Sequence, residues 1–257
     1  MALDPFRELA KSTRDGATAT DAFVSSMARL LGTAGPLTLF IKRSVSAYSD
    51  YEETLNRFTA AFHSRHEEMM DVGKRFADAY GESATTAVRM LSDSAVVFRN
   101  LGFSVRRAEE LSRKVNVLAS DLTSFRDVAK GATHVNQQLM AGMMGHTRQL
   151  LNLGIAIRQR EPEFERLVRS IQRAEGVTYA QARALAVLQE SLNQSAIAEG
   201  DYARNADSLG NTQRRLSAAF LELQRQVGSD FAPVVKDAIE ALTGVTRALS
   251  EMDPAIR

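Results

Sequence analysis

Apolar residues recur at spacings of three and four along almost the whole chain, and this periodicity constrains the fold more than any other feature. An α-helix turns once every 3.6 residues, so such spacing places apolar side chains on one helical face. No stretch of five or more residues alternates convincingly between apolar and polar, as a half-buried strand would. The absence of Trp and an aromatic content of only 7% also favour helices over sheets. The sequence therefore predicts an all-α fold, a multi-helix antiparallel bundle with long amphipathic C-terminal helices and no sheet.

Breaks in the periodic pattern, most of them at glycine, predict three regions in the 257 residues. Residues 1–35 are expected to form short N-terminal helices that end at the sequence GTAGP. Residues 36–160 are expected to form a helical core region, which begins with one long helix or two over residues 36–80. Residues 161–257 are expected to form C-terminal helical hairpins with heptad-like seams.

Polar residues at the starts of periodic runs predict helix caps. Ser104 follows the break at Gly102 and is a predicted N-cap for a helix that extends to Phe125. Thr178 and Gln181 have the spacing of a capping box, in which each side chain bonds a backbone N–H near the other residue. Both patterns indicate helix starts whose free N–H groups are satisfied locally.

The stretch EGDYARNADSLGNTQRRL, residues 199–216, is rich in small polar residues and could be either a reactive site or a helix corner. Gly200 is expected to end one helix, and Asp201 is expected to accept the free N–H groups of the next. Asp207 is expected to lie at the positive end of the following helix dipole. No base, nucleophile or metal-binding partner accompanies these residues, so the sequence predicts a helix corner.

The last third of the chain has the most regular apolar pattern. The spacing slips after Val227, and Asp230 as a cap with Pro233 in a first turn predicts that a new helix starts there. The two runs could pack on each other inside one subunit, or they could form an interface with other copies of the chain. The internal pair is favoured by the pattern, because short amphipathic helices usually pack on their own neighbours. The predicted helix-packing or self-association positions are Leu209, Leu216, Phe220, Leu223, Val227, Phe231, Val235, Leu242, Val245 and Leu249.

Composition narrows the possible functions. The 32 Lys and Arg nearly balance the 31 Asp and Glu, so overall charge gives no reason to expect nucleic-acid binding. The absence of Cys excludes thiolate metal sites, disulfides and cysteine nucleophiles. No apolar run is long enough to predict a membrane span, and the sequence reads as that of a soluble protein.

One cluster has the residue types of a metal site. His63, His66 and Glu67 lie within one helical turn's reach, but no further cluster completes a site, so a solvated helix face is the favoured interpretation. Glycine motifs of nucleotide-binding loops are absent from the sequence. The sequence therefore predicts no catalytic, cofactor or metal-binding residues, and a protein that is not an enzyme.

Four stretches resemble, in order and approximate spacing, the tape-measure proteins of long-tailed bacteriophages. They are YSDYEETLNRF at residues 48–58, NLGFSVRRAEELSRKVNVLASDLTSF at 100–125, MGHTRQLLNLGI at 144–155, and EGDYARNADSLGNTQRRLSAAFLELQRQVGSDFAPVV at 199–235. The last stretch is the most specific of the four. His146 departs from the family, which often has an acidic residue there.

The resemblance implies a structural role in a virion tail, with the protein made in the cytoplasm of the host bacterium. Tape-measure proteins lie as multimers in the tail lumen and act as the template for tube polymerisation. The implied partners are other copies, the tail tube protein, tail-tip or baseplate hub proteins and tail assembly chaperones, with nucleic acid only as DNA that passes through the tail. The chain is shorter than typical members, so we expect an ordered helical region of a ruler or a short family member.

Two alternatives remain beside the tape-measure interpretation. A helical coiled-coil adaptor or scaffold without ruler function would use the same heptad-like positions. A ferritin-like metal bundle would need Glu and Glu-x-x-His pairs on several helices, and the only His and Glu cluster is the one at residues 63–68. The glycine breaks predict a region that folds back on itself rather than an extended spacer, which at full helical length would reach ~385 Å.

Overall fold

The computed structural model describes residues 36–251, with the side chains of residues 39–63, 65–237 and 240. Within these residues the chain is all-α, as predicted, and contains no strand. The predicted short helices of residues 1–35 lie outside the described residues. The helices are α1 Pro36–Phe62, α2 His66–Tyr80, α3 Ala84–Asn100, α4 Val105–Phe125, α5 Gly131–Met143, α6 Pro162–Glu175, α7 Tyr179–Gln194, α8 Asp201–Arg204 and α9 Leu209–Glu251, with 3₁₀ turns at His63–Arg65, Thr147–Leu153 and Ala196–Ala198.

The chain forms two compact units. One unit comprises Met1–Glu52 and Phe220–Arg257, and the other comprises Glu53–Ala219. In the second unit one apolar core joins residues from Phe76 to Ala198, so it includes side chains from both sides of residue 160. The observed units therefore differ from the three regions that the sequence predicts.

The core of the second unit is built from helix pairs joined by short loops. Helices α3, α4 and α5 pack on one another, and so do α6 and α7, as in an antiparallel bundle. The predicted apolar face of α4 is buried, at 5% exposure or less. Its residues are Ala108, Leu111, Val115, Leu118 and Leu122.

A hydrogen-bonded polar trio lies inside this core. The Asn136 amide donates to the Ser94 hydroxyl at 2.9 Å and to the Asn116 carbonyl at 2.8 Å. The Asn116 amide in turn donates to the backbone carbonyl of Ser112 at 2.7 Å. All three members of the trio are at most 1% exposed. Helices α3, α4 and α5 are thus connected by polar as well as apolar contacts.

Two of the capping predictions are confirmed, those at Ser104 and Thr178. The Ser104 hydroxyl accepts the N–H of Arg107 at 3.2 Å and caps α4. Thr178 and Gln181 form the predicted capping box at the start of α7. Residues 36–80, predicted as one helix or two, form two helices separated by the His63–Arg65 turn.

The prediction of a new helix near Asp230 is wrong. Helix α9 runs unbroken from Leu209 to Glu251, with Asp230 and Pro233 in its interior, so neither residue is a helix start. Pro233 lacks the N–H of a helical hydrogen bond, which costs about 3 kcal/mol in an isolated helix. Close packing on α1 outweighs this local signal: at Gly228, a Cβ would lie only 1.9 Å from the backbone oxygen of Ser44.

Candidate interaction surface

Helix α9 carries a row of exposed apolar side chains in the first unit. Phe220 and Leu223 are each 49% exposed, Phe231 is 42% exposed and Val234 is 54% exposed, while Val227 between them is half-buried. At 100° per residue these five side chains fall within an arc of ~80°, and they extend over ~21 Å of helix. We call this row, Phe220, Leu223, Val227, Phe231 and Val234, the α9 apolar face.

The neighbouring face of α9 packs within the unit. Gln224 and Val235 are each 5% exposed and lie on the same side of the helix as Gly228, which contacts α1. The guanidinium of Arg225 lies 4.7 Å from the ring centroid of Tyr51 on α1. Val235 is therefore buried inside the unit, unlike the exposed positions of the predicted seam.

Phe220 belongs to both environments. Its ring centroid lies 6.0 Å from that of Phe40 on α1, although half of the side chain stays exposed. Leu223, one turn further along, lies farther around the helix from the buried positions Gln224 and Gly228 and is the better site for a surface substitution. Among the seam positions with described side chains, Val235 is therefore buried inside the unit, whereas Phe220, Leu223 and Phe231 remain about half exposed.

The other predicted seam residues divide in two groups. Leu209 and Leu216, in the second unit, are 75% and 71% exposed. Leu242, Val245 and Leu249 lie on the part of α9 for which the structure does not describe the side chains. Leu209 and Leu216 are therefore mostly exposed to solvent rather than packed in the core of the second unit.

The composition of the α9 apolar face is that of an interface core. All residues of α9 between Phe220 and Val234 that fall in this arc are apolar, and two of the five are aromatic. Single exposed apolar residues are ordinary, but contiguous apolar patches mark interaction sites. Interface cores are depleted in charge and enriched in aromatic residues. The face has the chemistry of a helix that packs against another apolar surface.

The stretch at residues 199–216 folds as a corner, as predicted, but its caps differ from the expected ones. The carboxylate of Asp121, on α4, accepts the backbone N–H of Gly200 at 2.9 Å and that of Tyr202 at 3.3 Å. Gly200 has φ +69°, a left-handed conformation that glycine adopts without strain. Burial raises the pKa of Asp121, while the two N–H donors lower it. The corner is capped by a residue about 80 positions earlier in the chain.

The prediction that Asp201 caps the next helix is wrong. Asp201 is the first residue of α8 rather than the residue before it. Its carboxylate accepts the Ser124 hydroxyl at 2.7 Å and the Asn205 amide at 2.8 Å. The Asp121 carboxylate already accepts the N–H groups at this turn. The Asp201 carboxylate instead connects α8 to Ser124 at the end of α4.

The start of α9 is capped by Ser208, which the sequence reasoning missed. Its hydroxyl accepts the N–H of Asn211 at 3.3 Å. Asp207 lies just before the helix, close to its positive end, and its carboxylate pairs with Arg215 at 3.2 Å. Ser before a helical run is a usual N-cap signal, so this cap could have been found from the sequence.

Glu82, in the loop between α2 and α3, is the most perturbed acid near this corner. Burial raises its pKa to about 7, and the positive charge of Arg214 opposes the rise. Its neighbour Gly81 has φ +60° and packs so tightly that a Cβ would lie 2.2 Å from the Tyr202 hydroxyl. No motif marked Glu82 in the sequence, because its burial depends on the fold.

The predicted histidine cluster lies at the junction of α1 and α2. His66 Nδ1 is 2.8 Å from the backbone oxygen of His63, and Glu67 is exposed. The described residues contain no group of three metal-ligating side chains that could hold an ion. Nor does any described helix have a stretch long and apolar enough to cross a membrane.

Searches of protein-family models, curated proteins and solved structures found no match to this chain.

Proposed function

We propose that this chain is a structural protein of a bacteriophage tail, a tape measure that acts as length template and scaffold for tube assembly. The observation that carries the proposal is the α9 apolar face, an exposed and uncharged row on a helix of 43 residues. Such a face stabilises an assembly when a second apolar surface covers it. The resemblance to tape-measure proteins, which covers roughly residues 37–249, suggests that this assembly is a phage tail.

The partners in this proposal are other copies of the chain and the proteins of the tail tube and tip. Two copies that pair through the α9 apolar face would each bury several half-exposed apolar side chains, in a helix-on-helix packing typical of coiled coils. Tail assembly chaperones would cover the same face before assembly. The protein would then be found in the virion tail, with no cofactor and no catalytic role.

Within the proposed ruler, this chain would form a compact folded region. A straight helix of 43 residues covers ~65 Å, but the shorter helices of Glu53–Ala219 fold on a common core. This packing supports a folded plug or assembly nucleus in the tail lumen or tip, rather than an extended spacer.

Sedimentation of the Leu223→Asp variant tests the role of the apolar face. Wild-type protein is expected to sediment as an oligomer, and the variant as a folded monomer, because an aspartate on this face would be buried without a partner in the assembly. Leu221→Asp is the matched control, since Leu221 is 46% exposed but lies outside the face. Equal sedimentation of wild type and both variants would contradict the proposal.

Tail length tests the ruler role itself. A segment of α9 is deleted or duplicated in the gene of the parent phage, and tails are measured by electron microscopy. We expect no tails to form, since the segment belongs to a folded nucleus. A change of ~1.5 Å per residue would instead place α9 in an extended part of the ruler.

The alternative is a helical adaptor or scaffold without ruler function, which the exposed face favours equally. Unchanged tails in the same experiment would support it. An adaptor would also form a defined complex with one partner, whereas a tape measure would copurify with tube and tail-tip proteins.

A further inference from the structure

The spacing of the α9 apolar face is symmetric about its middle residue, Val227. Phe220 and Leu223 lie seven and four residues before it, and Phe231 and Val234 lie four and seven residues after it. A regular heptad repeat alternates intervals of three and four, so none of its apolar residues is such a centre. The slip in the apolar spacing after Val227, which does not mark a helix start, creates this symmetry.

A symmetric row of this kind can pack on a second copy of itself in the antiparallel direction. A two-fold axis at Val227, perpendicular to the helix, brings Leu223 of one copy opposite Phe231 of the second copy. It brings Phe220 opposite Val234 in the same way, and each Val227 faces its counterpart on the axis. The same patch then forms both halves of the contact, as in the isologous interfaces of two-fold dimers.

The sizes of the side chains favour the antiparallel direction. In it, every layer away from the axis combines an aromatic ring with a smaller aliphatic side chain, either Phe with Val or Phe with Leu. A parallel pair in register would instead place Phe on Phe in two layers and Val on Val in two others. Two packed helices keep a nearly constant separation, so layers of similar volume leave fewer voids than layers of unequal volume.

The edges of the face are compatible with this pairing. One edge is packed by α1 at Gly228, and the other carries Gln226 and Asp230, both exposed. In the antiparallel pair, Asp230 of one copy and Gln226 of the second copy lie within ~3 Å of each other along the helix axis, so the amide can donate to the carboxylate. The two Asp230 residues are ~9 Å apart along the axis, so they make no like-charge contact.

The area of the face is that of a reversible dimer. A large apolar side chain has on the order of 150–250 Å² of surface, so five side chains that are about half exposed or less present ~400 Å² per copy. Two copies would bury ~800 Å² through these side chains alone, and a specific interface needs about 1,000 Å². The edge residues Gln226 and Asp230 supply much of the difference.

We infer that two copies of this chain pair antiparallel through the α9 apolar face, with Val227 of each copy at the two-fold axis. The inference rests on the self-association in the proposed function, and it adds the direction and the register of the pair. Because the two-fold contact uses the whole face of both copies, it closes at two copies. A larger assembly of this chain therefore requires a different surface.

A mixture of two charge variants of the full chain tests the direction. Leu223→Asp and Phe231→Lys each place a charge opposite an apolar side chain of the second copy, so each variant alone is expected to sediment as a monomer. In an antiparallel pair of the two variants, the aspartate faces the lysine, and the other layer keeps Leu opposite Phe. The equimolar mixture is therefore expected to associate about tenfold more tightly than either variant alone.

The matched control is an equimolar mixture of Leu223→Asp and Leu223→Lys, whose charges face each other only in a parallel pair in register. Recovery of association in this mixture alone would overturn the antiparallel direction and leave the proposed self-association standing. If the wild type forms dimers but neither mixture does, the register is wrong. A wild type that stays monomeric would contradict both the inference and the proposed self-association, and would leave the face to a different protein.

Single cysteines provide a second readout, because the chain contains no Cys. Leu223→Cys and Phe231→Cys are expected to form a mixed disulfide under mild oxidation. Leu223→Cys alone is expected to form little disulfide, since the two residues lie ~12 Å apart along an antiparallel pair and a disulfide spans at most about 7 Å between Cα atoms. Leu221→Cys, outside the face, is the control. A dominant disulfide of Leu223→Cys with itself would overturn the inference.

Discussion

Replacement of Glu82 by Gln is expected to stabilise the protein at alkaline pH and to leave it unchanged at acid pH. The pKa of Glu82 is raised by burial from 4.5 to about 7 in the folded chain, with Arg214 acting against the rise. Between these two values the unfolded chain has lost this proton while the folded chain still holds it. The free energy of unfolding therefore falls as the pH rises through this window, and it stays low above it.

The magnitude follows from the size of the pKa shift. A shift of one unit corresponds to ~1.4 kcal/mol, so the burial of Glu82 as an anion costs at most ~3 kcal/mol above pH 7. Glu82 is partly exposed, and water screens the charge, so we expect ~1–2 kcal/mol. Glutamine has the same shape and no charge, and removes this cost.

Urea unfolding followed by circular dichroism measures the effect. The unfolding free energies of wild type and Glu82→Gln are compared at about pH 4 and about pH 8, and the difference between the proteins cancels the contributions of other acids. Glu67→Gln is the control, because Glu67 is exposed on α2. A difference between the proteins that is the same at both pH values, or larger at acid pH, would refute the reasoning.

Two further substitutions test the packing and the corner. Gly228→Ala is expected to destabilise the protein by ~1–3 kcal/mol, although alanine is the better helix former, because its Cβ would lie 1.9 Å from the Ser44 backbone oxygen. Gly210→Ala is the control, because its Cβ would meet only the movable side-chain ends of Asp127 at 3.1 Å and Arg214 at 3.7 Å within 4 Å. Equal thermal stability of both variants would contradict the close contact. Asp121→Ala is expected to cost ~2–3 kcal/mol in thermal unfolding, since two backbone N–H groups lose their acceptor. A cost no larger than that of a surface substitution would show that the corner does not depend on this carboxylate.

Features that depend on neighbours in the sequence were predictable. The caps at Ser104 and Thr178 each involve residues three positions apart, and the all-α fold follows from apolar spacing. The cap from Asp121 to Gly200 could not be predicted from the sequence, because the two residues approach only after α4 and the corner have packed. The local signal of Pro233 was misleading for the same reason, since contacts with α1 outweigh it.

The positions of the candidate interaction surface were predictable from the sequence, but what they pack against was not. The heptad-like spacing identified Leu223 and Phe231 as packing positions, but spacing alone does not say whether the second surface belongs to the same chain. That distinction depends on which face of α9 receives α1, and Gly228 decides it by letting the two backbones approach.

The buried trio of Ser94, Asn116 and Asn136 has a consequence for how reproducibly the chain folds. A shift of α5 by one turn against α3 and α4 would preserve much of the apolar contact, but it would leave the Asn136 amide without its two acceptors and the Asn116 side-chain oxygen without its donor. Misaligned compact states are therefore higher in free energy, and one alignment of the three helices is selected during folding. A regular assembly of many copies requires that every copy adopts the same conformation. A chain with two alternative helix alignments would form assemblies of unequal dimensions.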